Sequence, residues 1–267
     1  MRKPSLGSRV DWSQSINKGL AGWWLFNEGS GDRVEDISLN GNRGILTNVA
    51  LATAWVVGGN PAIAGYTLDF DGVDDFIDFN TIVSPSVPRT VSIWVNPSSS
   101  WSVESGYILT SYAASGSTGY SILVEVSDKT VGIGNNQVVN EVQTTEGLST
   151  DTWTYLVVVF GSDNTGTIYF DGIQKASGDI GAETTQVNHD ILGARWDTAE
   201  VDEDREFNGL MDNLRILNRA WTPSEVMESY VDPFLGIQQR RRTLFVSAVG
   251  TVVQDLIGGL GVIAFPR

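Results

Sequence analysis

Residues 208–230 read NGLMDNLRILNRAWTPSEVMESY. The alternation from Leu210 to Leu217 predicts a strand. Leu210, Asp212, Leu214 and Ile216 fall on one side, and Met211, Asn213, Arg215 and Leu217 on the other. The first set is the more apolar and predicts the core face, with Asp212 in its middle. A carboxylate buried there must be paired, hydrogen-bonded or bound to a cation, because leaving it bare is costly. Thr222-Pro223-Ser224-Glu225 then has the form of a capping box with proline at the first helical position, so a short helix to about Tyr230 should follow.

Working outward, the rest of the chain is rich in strands and turns. The 267 residues allow one large β domain or two small ones, and 41% of them are hydrophobic, enough for a real core. Gly19–Phe26 (GLAGWWLF) reads as a strand buried on both faces. Residues 34–46 form a polar, glycine-punctuated loop. Tyr66–Phe70 and Phe76–Phe79 read as a hairpin across Asp71-Gly72. Strands are further predicted at Thr90–Val95, Tyr107–Tyr112, Tyr120–Val126, Thr130–Ile133, Thr152–Phe160, Gly166–Phe170 and His189–Leu192. About a dozen short strands and one capped helix indicate an all-β, antiparallel two-sheet sandwich.

The absence of cysteine excludes disulfide scaffolds, thiolate metal sites and cysteine nucleophiles. The net charge is −15 and is unevenly spread. Arg2, Lys3 and Arg9 stand among the first nine residues without an acid, and Arg240–Arg242 and Arg267 face only Asp255 in residues 238–267. The body is therefore strongly acidic, which disfavours nucleic acid and suits cations or solubility. Met1–Val10 lacks the apolar core of a signal peptide. Three divisions follow: an extension over 1–18, the sandwich over 19–232, and a basic, apolar arm over 233–267. That arm is β-prone but interrupted by Asp255 and glycines, a poor membrane helix. It should dock on its own body or on a partner chain.

Several stretches carry a resemblance. Gly22-Trp-Trp-Leu-Phe-Asn-Glu-Gly-Ser-Gly31, Asp36 with Asn40-Gly-Asn-Arg-Gly44, Leu68–Phe76, Thr90–Val95, Trp153–Phe160 with Ile168–Gly172, and Phe207–Glu225 follow one another in order. Together they resemble the LamG-like jelly-roll domains of the concanavalin A-like lectin/glucanase superfamily over about Gly19 to Tyr230. Val10-Asp-Trp-Ser, Asp232-Pro-Phe and Arg240-Arg-Arg242 more loosely resemble the versions found in bacteriophage structural proteins.

The resemblance implies a jelly roll with a structural calcium ion shared by the first loop and the closing strand. Here that means Asp36 and Asp212, with Asn40, Asn42 and the Gly44 backbone as helpers, since calcium takes six to eight hard oxygens. The competing reading pairs Asp212 with an arginine. Asp74 and Asp75 are read as a turn cluster rather than a second site. Trp101 and Trp196, in loops, are the expected sugar-stacking platforms.

Catalysis finds little support. Glu200, Asp202 and Glu206 match a glycanase spacing, but Glu203, Asp204 and Arg205 fill places that a catalytic strand keeps apolar. His189, the only histidine, stands without a nucleophile elbow. The expectation is a non-catalytic structural or adhesion protein, a virion or other extracellular component that binds glycans, is anchored to particle proteins by its arm and is homo-oligomeric, with no nucleic acid and no membrane insertion. A free secreted lectin module is the alternative, and a glycanase the third.

Overall fold

A computed structural model describes residues 1–238 except 6, 81, 83–87, 103–104, 114–116, 136–140, 183–188, 198–199 and 202–204. Two eight-stranded antiparallel sheets pack face to face, the sandwich expected from the sequence. The first sheet runs, in spatial order, Ile173–Asp179, Thr165–Phe170, Thr154–Phe160, Arg89–Pro97, Asn208–Leu217, Tyr66–Asp71 and Trp55–Val57. Its eighth strand, Leu20–Trp24, also pairs with Asn208–Leu217. The second sheet runs Val142–Gly147, Thr130–Asn135, Ser117–Val124, Gly106–Ala113, His189–Leu192, Phe76–Asp78, Gly44–Thr47 and Arg33–Val34. Among the described residues no helix is long and apolar enough to cross a membrane.

The strand Asn208–Leu217 organises the first sheet. One edge pairs throughout with Arg89–Pro97. Along the other edge it changes partner, joining Tyr66–Asp71 over residues 208–211 and Leu20–Trp24 over 214–217. A bulge marks the change: the register slips between Asp212 and Arg215, and Asn213 has a φ of 50°. The bulge corrects the predicted alternation. Met211 before it and Leu214 and Ile216 after it all enter the core between the sheets. Asp212 therefore faces away from that core, on the side of its cross-strand neighbour Trp94.

That outer face is itself covered, by the N-terminal segment and by the first residues of the arm, which dock on their own body. Trp23, Trp94, Tyr155 and Leu217 form a second apolar cluster with Val10 and Ile16 from the N-terminal segment. Trp221, Val226 and Phe234, from the helix and its flanks, complete it. The boundaries expected after residues 18 and 232 are consequently not packing boundaries. Val10 bridges to Ile237, and Arg215 stacks 3.5 Å from the Trp23 ring while donating to Pro233 O. Residues 233–238 belong to the body; the rest of the arm, 239–267, lies outside the described residues.

The helix Pro223–Val231 starts as predicted. Thr222 Oγ1 accepts from Glu225 N at 3.3 Å, and Glu225 Oε2 accepts from Thr222 N at 2.9 Å. The hairpin expected at Asp71-Gly72 is not formed. Tyr66–Asp71 lies in the first sheet and Phe76–Asp78 in the second, so this turn carries the chain across the sandwich. Four residues separate the two strands, too long for a two-residue hairpin turn, and Phe70 and Ile77 enter the shared core from opposite sheets. By contrast Asp171-Gly172, with φ values of 51° and 81°, closes a true hairpin between Phe170 and Ile173.

Candidate functional site

Asp36 and Asp212 are held in separate networks. Asp36 Oδ1 accepts from Trp23 N at 3.0 Å and Ser38 N at 2.8 Å, and Oδ2 from Ser38 Oγ at 2.7 Å and Asn42 N at 3.2 Å. Asn40 Nδ2 donates to Leu20 O and Ala21 O, and Asn42 Nδ2 to Ala21 O. Gly44 is needed for packing, since a Cβ there would run into Phe79, Ile77 and Val34. This loop therefore spends its polar groups tying itself to the strand Leu20–Trp24.

Asp212 meets a lysine instead. Where the last strand changes partner the sheet forks, and the carbonyls of Phe26 and Tyr66 are left facing the gap. Lys3 fills it, its ammonium donating to Phe26 O at 3.0 Å, to Tyr66 O and to Asp212 Oδ1. Both side chains are buried, at 1% and 0% exposure. Burial lifts the Asp212 carboxyl to about 7 against the opposing pull of Lys3, and burial lowers the Lys3 ammonium. The set does not fit a shared calcium ion: a cation here would meet the Lys3 ammonium, and the oxygens of Asp36 already accept four donors. The chain supplies its own cation, and it is a lysine rather than the arginine of the competing reading.

Trp101 is also corrected. It is 3% exposed, with its ring edge-on to Phe207 at 5.3 Å and the Lys129 ammonium 4.9 Å away. A loop position did not imply exposure, because the ring props the loop from beneath. Trp196 opens a two-residue strand, Trp196–Asp197, but its side chain lies outside what the structure describes. The Glu200 and Asp202 side chains do as well, while Glu206 is buried. His189 begins its strand beside Asp78 Oδ1 at 3.2 Å, the strand-end role expected of it.

Two polar constellations remain at the opposite end of the first sheet's outer face from the apolar cover. One is a cleft of about 400 Å³, lined by Asp69, Asp71, Asn96, Ser98, Ser100, Asp151 and Asn208 among others. Asp69 and Asn96 flank Leu210 in adjacent strands, two residues along from Asp212. Local bonds fix the rim: Asp151 Oδ1 accepts from Ser99 N at 3.1 Å, Trp101 N donates to Ser98 O at 3.2 Å, and Asn208 Nδ2 donates to Asp71 O at 2.6 Å. Partial burial, then the charge of Asp71, raises the Asp69 carboxyl. Sequence reasoning missed Asn96, Asp151 and Asn208, since strand pairing brings Asn96 and Asn208 together and loop hydrogen bonds to Ser99 and Pro97 bring in Asp151.

The second constellation is the sheet-crossing turn itself. One carboxylate oxygen from each of Asp71, Asp74 and Asp75 lies within 4.8 Å of the others. Asp75 is 4% exposed; its Oδ2 accepts from Asp71 N at 2.9 Å, whereas Oδ1 meets no donor among the described residues. Burial and the neighbouring charges of Asp71, Asp74 and Asp69 push the Asp75 carboxyl up to about 6.

No curated protein matches the chain by sequence. Among solved structures it is similar to domain 4 of AbnA, a GH43 extracellular arabinanase from Geobacillus stearothermophilus in complex with arabinotriose. That match has a TM-score of 0.62 and 22% identity, over 78% of this chain and 97% of that one. The binding domain of botulinum neurotoxin serotype D is similar at a TM-score of 0.58 and 15% identity, over 83% of this chain and 52% of that one. A Trypanosoma rangeli sialidase mutant displaying trans-sialidase activity is similar at 0.61 and 12% identity, over 80% of this chain but only 33% of the sialidase. At these identities the likenesses show the fold. The family signature itself matches residues 71–227, more than half the chain, and the protein belongs to the concanavalin A-like lectin/glucanases superfamily.

Proposed function

We propose that the protein is a non-catalytic carbohydrate-binding module, and that the cleft of Asp69, Asn96, Ser98, Ser100, Asp151 and Asn208 takes the sugar. The observation that carries this reading is the cleft's chemistry: carboxylate, amide and hydroxyl groups converge there from paired strands and the hydrogen-bonded loops beside them. Such groups match the paired donors and acceptors of vicinal sugar hydroxyls. The arabinotriose complex of the similar arabinanase domain and the naming of the toxin domain as a binding domain support it. Trp12, 53% exposed, is the one described tryptophan that stands well out in solvent, but it belongs to the N-terminal segment at the covered end, so recognition in the cleft falls to its polar groups.

The reading extends to display on a larger particle such as a virion, with residues 239–267 as the attachment segment to neighbouring proteins or to further copies of the chain. The basic, apolar composition of that segment supports it. Glycan-array and calorimetric binding by the full chain test the sugar site. Binding should fall at least tenfold in Asn96→Ala and Asp151→Ala, the loss expected when a site's polar groups lose their partners. A blank array from folded protein would overturn the reading. So would release of reducing ends from polysaccharide that disappears in Asp69→Asn, because Asp69 and Asp71 would then be the working acids of a hydrolase.

A further inference from the structure

We infer that Asp71, Asp74 and Asp75 form a calcium site in the turn that carries the chain from one sheet to the other. Two separate observations meet here. The three carboxylates converge within 4.8 Å, inside the span of about 5 Å that two oxygens can have across one ion with Ca–O bonds of about 2.3–2.6 Å. Independently, Asp75 Oδ1 is buried and has no hydrogen-bond partner among the described residues, although buried carboxylate oxygens ordinarily find one. A cation supplies what that oxygen lacks.

The burial gradient fits such a site. Asp71 is exposed, Asp74 half-buried and Asp75 buried, so an ion meets carboxylates from solvent inward. The charges bearing on Asp75 come from Asp71, Asp74 and Asp69, carboxylates throughout. That field favours a divalent cation, and three hard oxygens plus water match calcium better than softer transition metals. Magnesium, with bonds of about 2.0–2.1 Å in strict octahedral geometry, fits this spread less well. An ion here would pin the crossing turn, and Asp71 would link it to the adjoining cleft.

The test is calorimetry of the full chain, freed of metal by chelator and exchange, titrated with calcium chloride in the absence of sugar. Wild type should bind one calcium ion and melt at a higher temperature with it. Asp75→Asn and Asp74→Asn should each weaken binding at least by the 10–100-fold that losing a partner one shell further out costs, while the exposed turn variant Asp163→Asn binds as wild type does. Should Asp75→Asn fail to fold, Asp74→Asn carries the test, since that side chain is only half-buried. No binding by wild type, magnesium binding as tight as calcium, or undiminished binding in both variants would overturn the assignment. None of these outcomes depends on the glycan, which is read through Asn96 and Asp151.

Discussion

Lys3 and Asp212 are 209 residues apart in sequence and both buried. The pair closes the fork in the first sheet, where two backbone carbonyls would otherwise face a gap. At pH 8, where Asp212 is ionised, Lys3→Ala should cost about 3–5 kcal/mol in urea unfolding, because it leaves a buried charge without its partner. Lys3→Met combined with Asp212→Leu should recover only the part due to the unpaired charge, since an apolar pair can replace a buried ion pair but leaves Phe26 O and Tyr66 O without a donor. The pH dependence follows from the raised carboxyl. Between its ordinary value near 3.8 and about 7, folded Asp212 holds a proton that the unfolded chain has released. Stability from this group is therefore present below the lower value and is lost as pH rises through the window. Melting temperature measured from pH 4 to 8 should show this decline, and Asp212→Asn should flatten it. The sequence marked Asp212 as a carboxylate needing a partner. It could not show the partner, because a lone lysine near the N-terminus carries no local signal for a fork built from three distant strands.

Local chemistry was the most legible at the scale of the element. Thr222-Pro223-Ser224-Glu225 contains its own instructions, and the capping box forms as read. Thr222→Ala should destabilise the protein by about 0.5–2 kcal/mol, checked by chemical denaturation, because the helix loses its N-cap oxygen. Asp171-Gly172 is equally local, a tight turn between strands that pair with each other. Asp71-Gly72 looks the same in sequence and does something different, since strand pairing on either side is decided by distant partners. The bulge at Asn213 was illegible for a related reason. Alternation predicts a face only while the register holds, and the slip beside Asn213 exchanges the faces of everything before it. That single exchange moved Asp212 from the inter-sheet core to the covered outer face, and with it the expected calcium site.

Across the whole molecule, the two-sheet sandwich was legible from strand count, turns and the closing strand–helix unit. The covering of the first sheet by the N-terminal flank was not, because Val10 and Ile16 are isolated apolar residues in polar sequence, and for Phe234-Leu235-Gly236-Ile237 composition left docking on the body or on a partner equally open. A chain ending at Asp232 should lose the packing of Phe234 and its neighbours and melt lower than one ending at Gln238. The latter should match the full chain in stability while losing any oligomer that residues 239–267 build, which light scattering reads directly. The flanks cover one end of the outer face and leave the other end open, and the open end is where polar side chains gather around the cleft. The claim that this open end is a sugar site is tested most directly by a glycan array read side by side with wild type and Asp151→Ala. Wild type should show defined sugar binding that is lost in the variant, with both proteins equally folded. Binding that survives Asp151→Ala and Asn96→Ala alike, or a blank array from folded wild type, would contradict it.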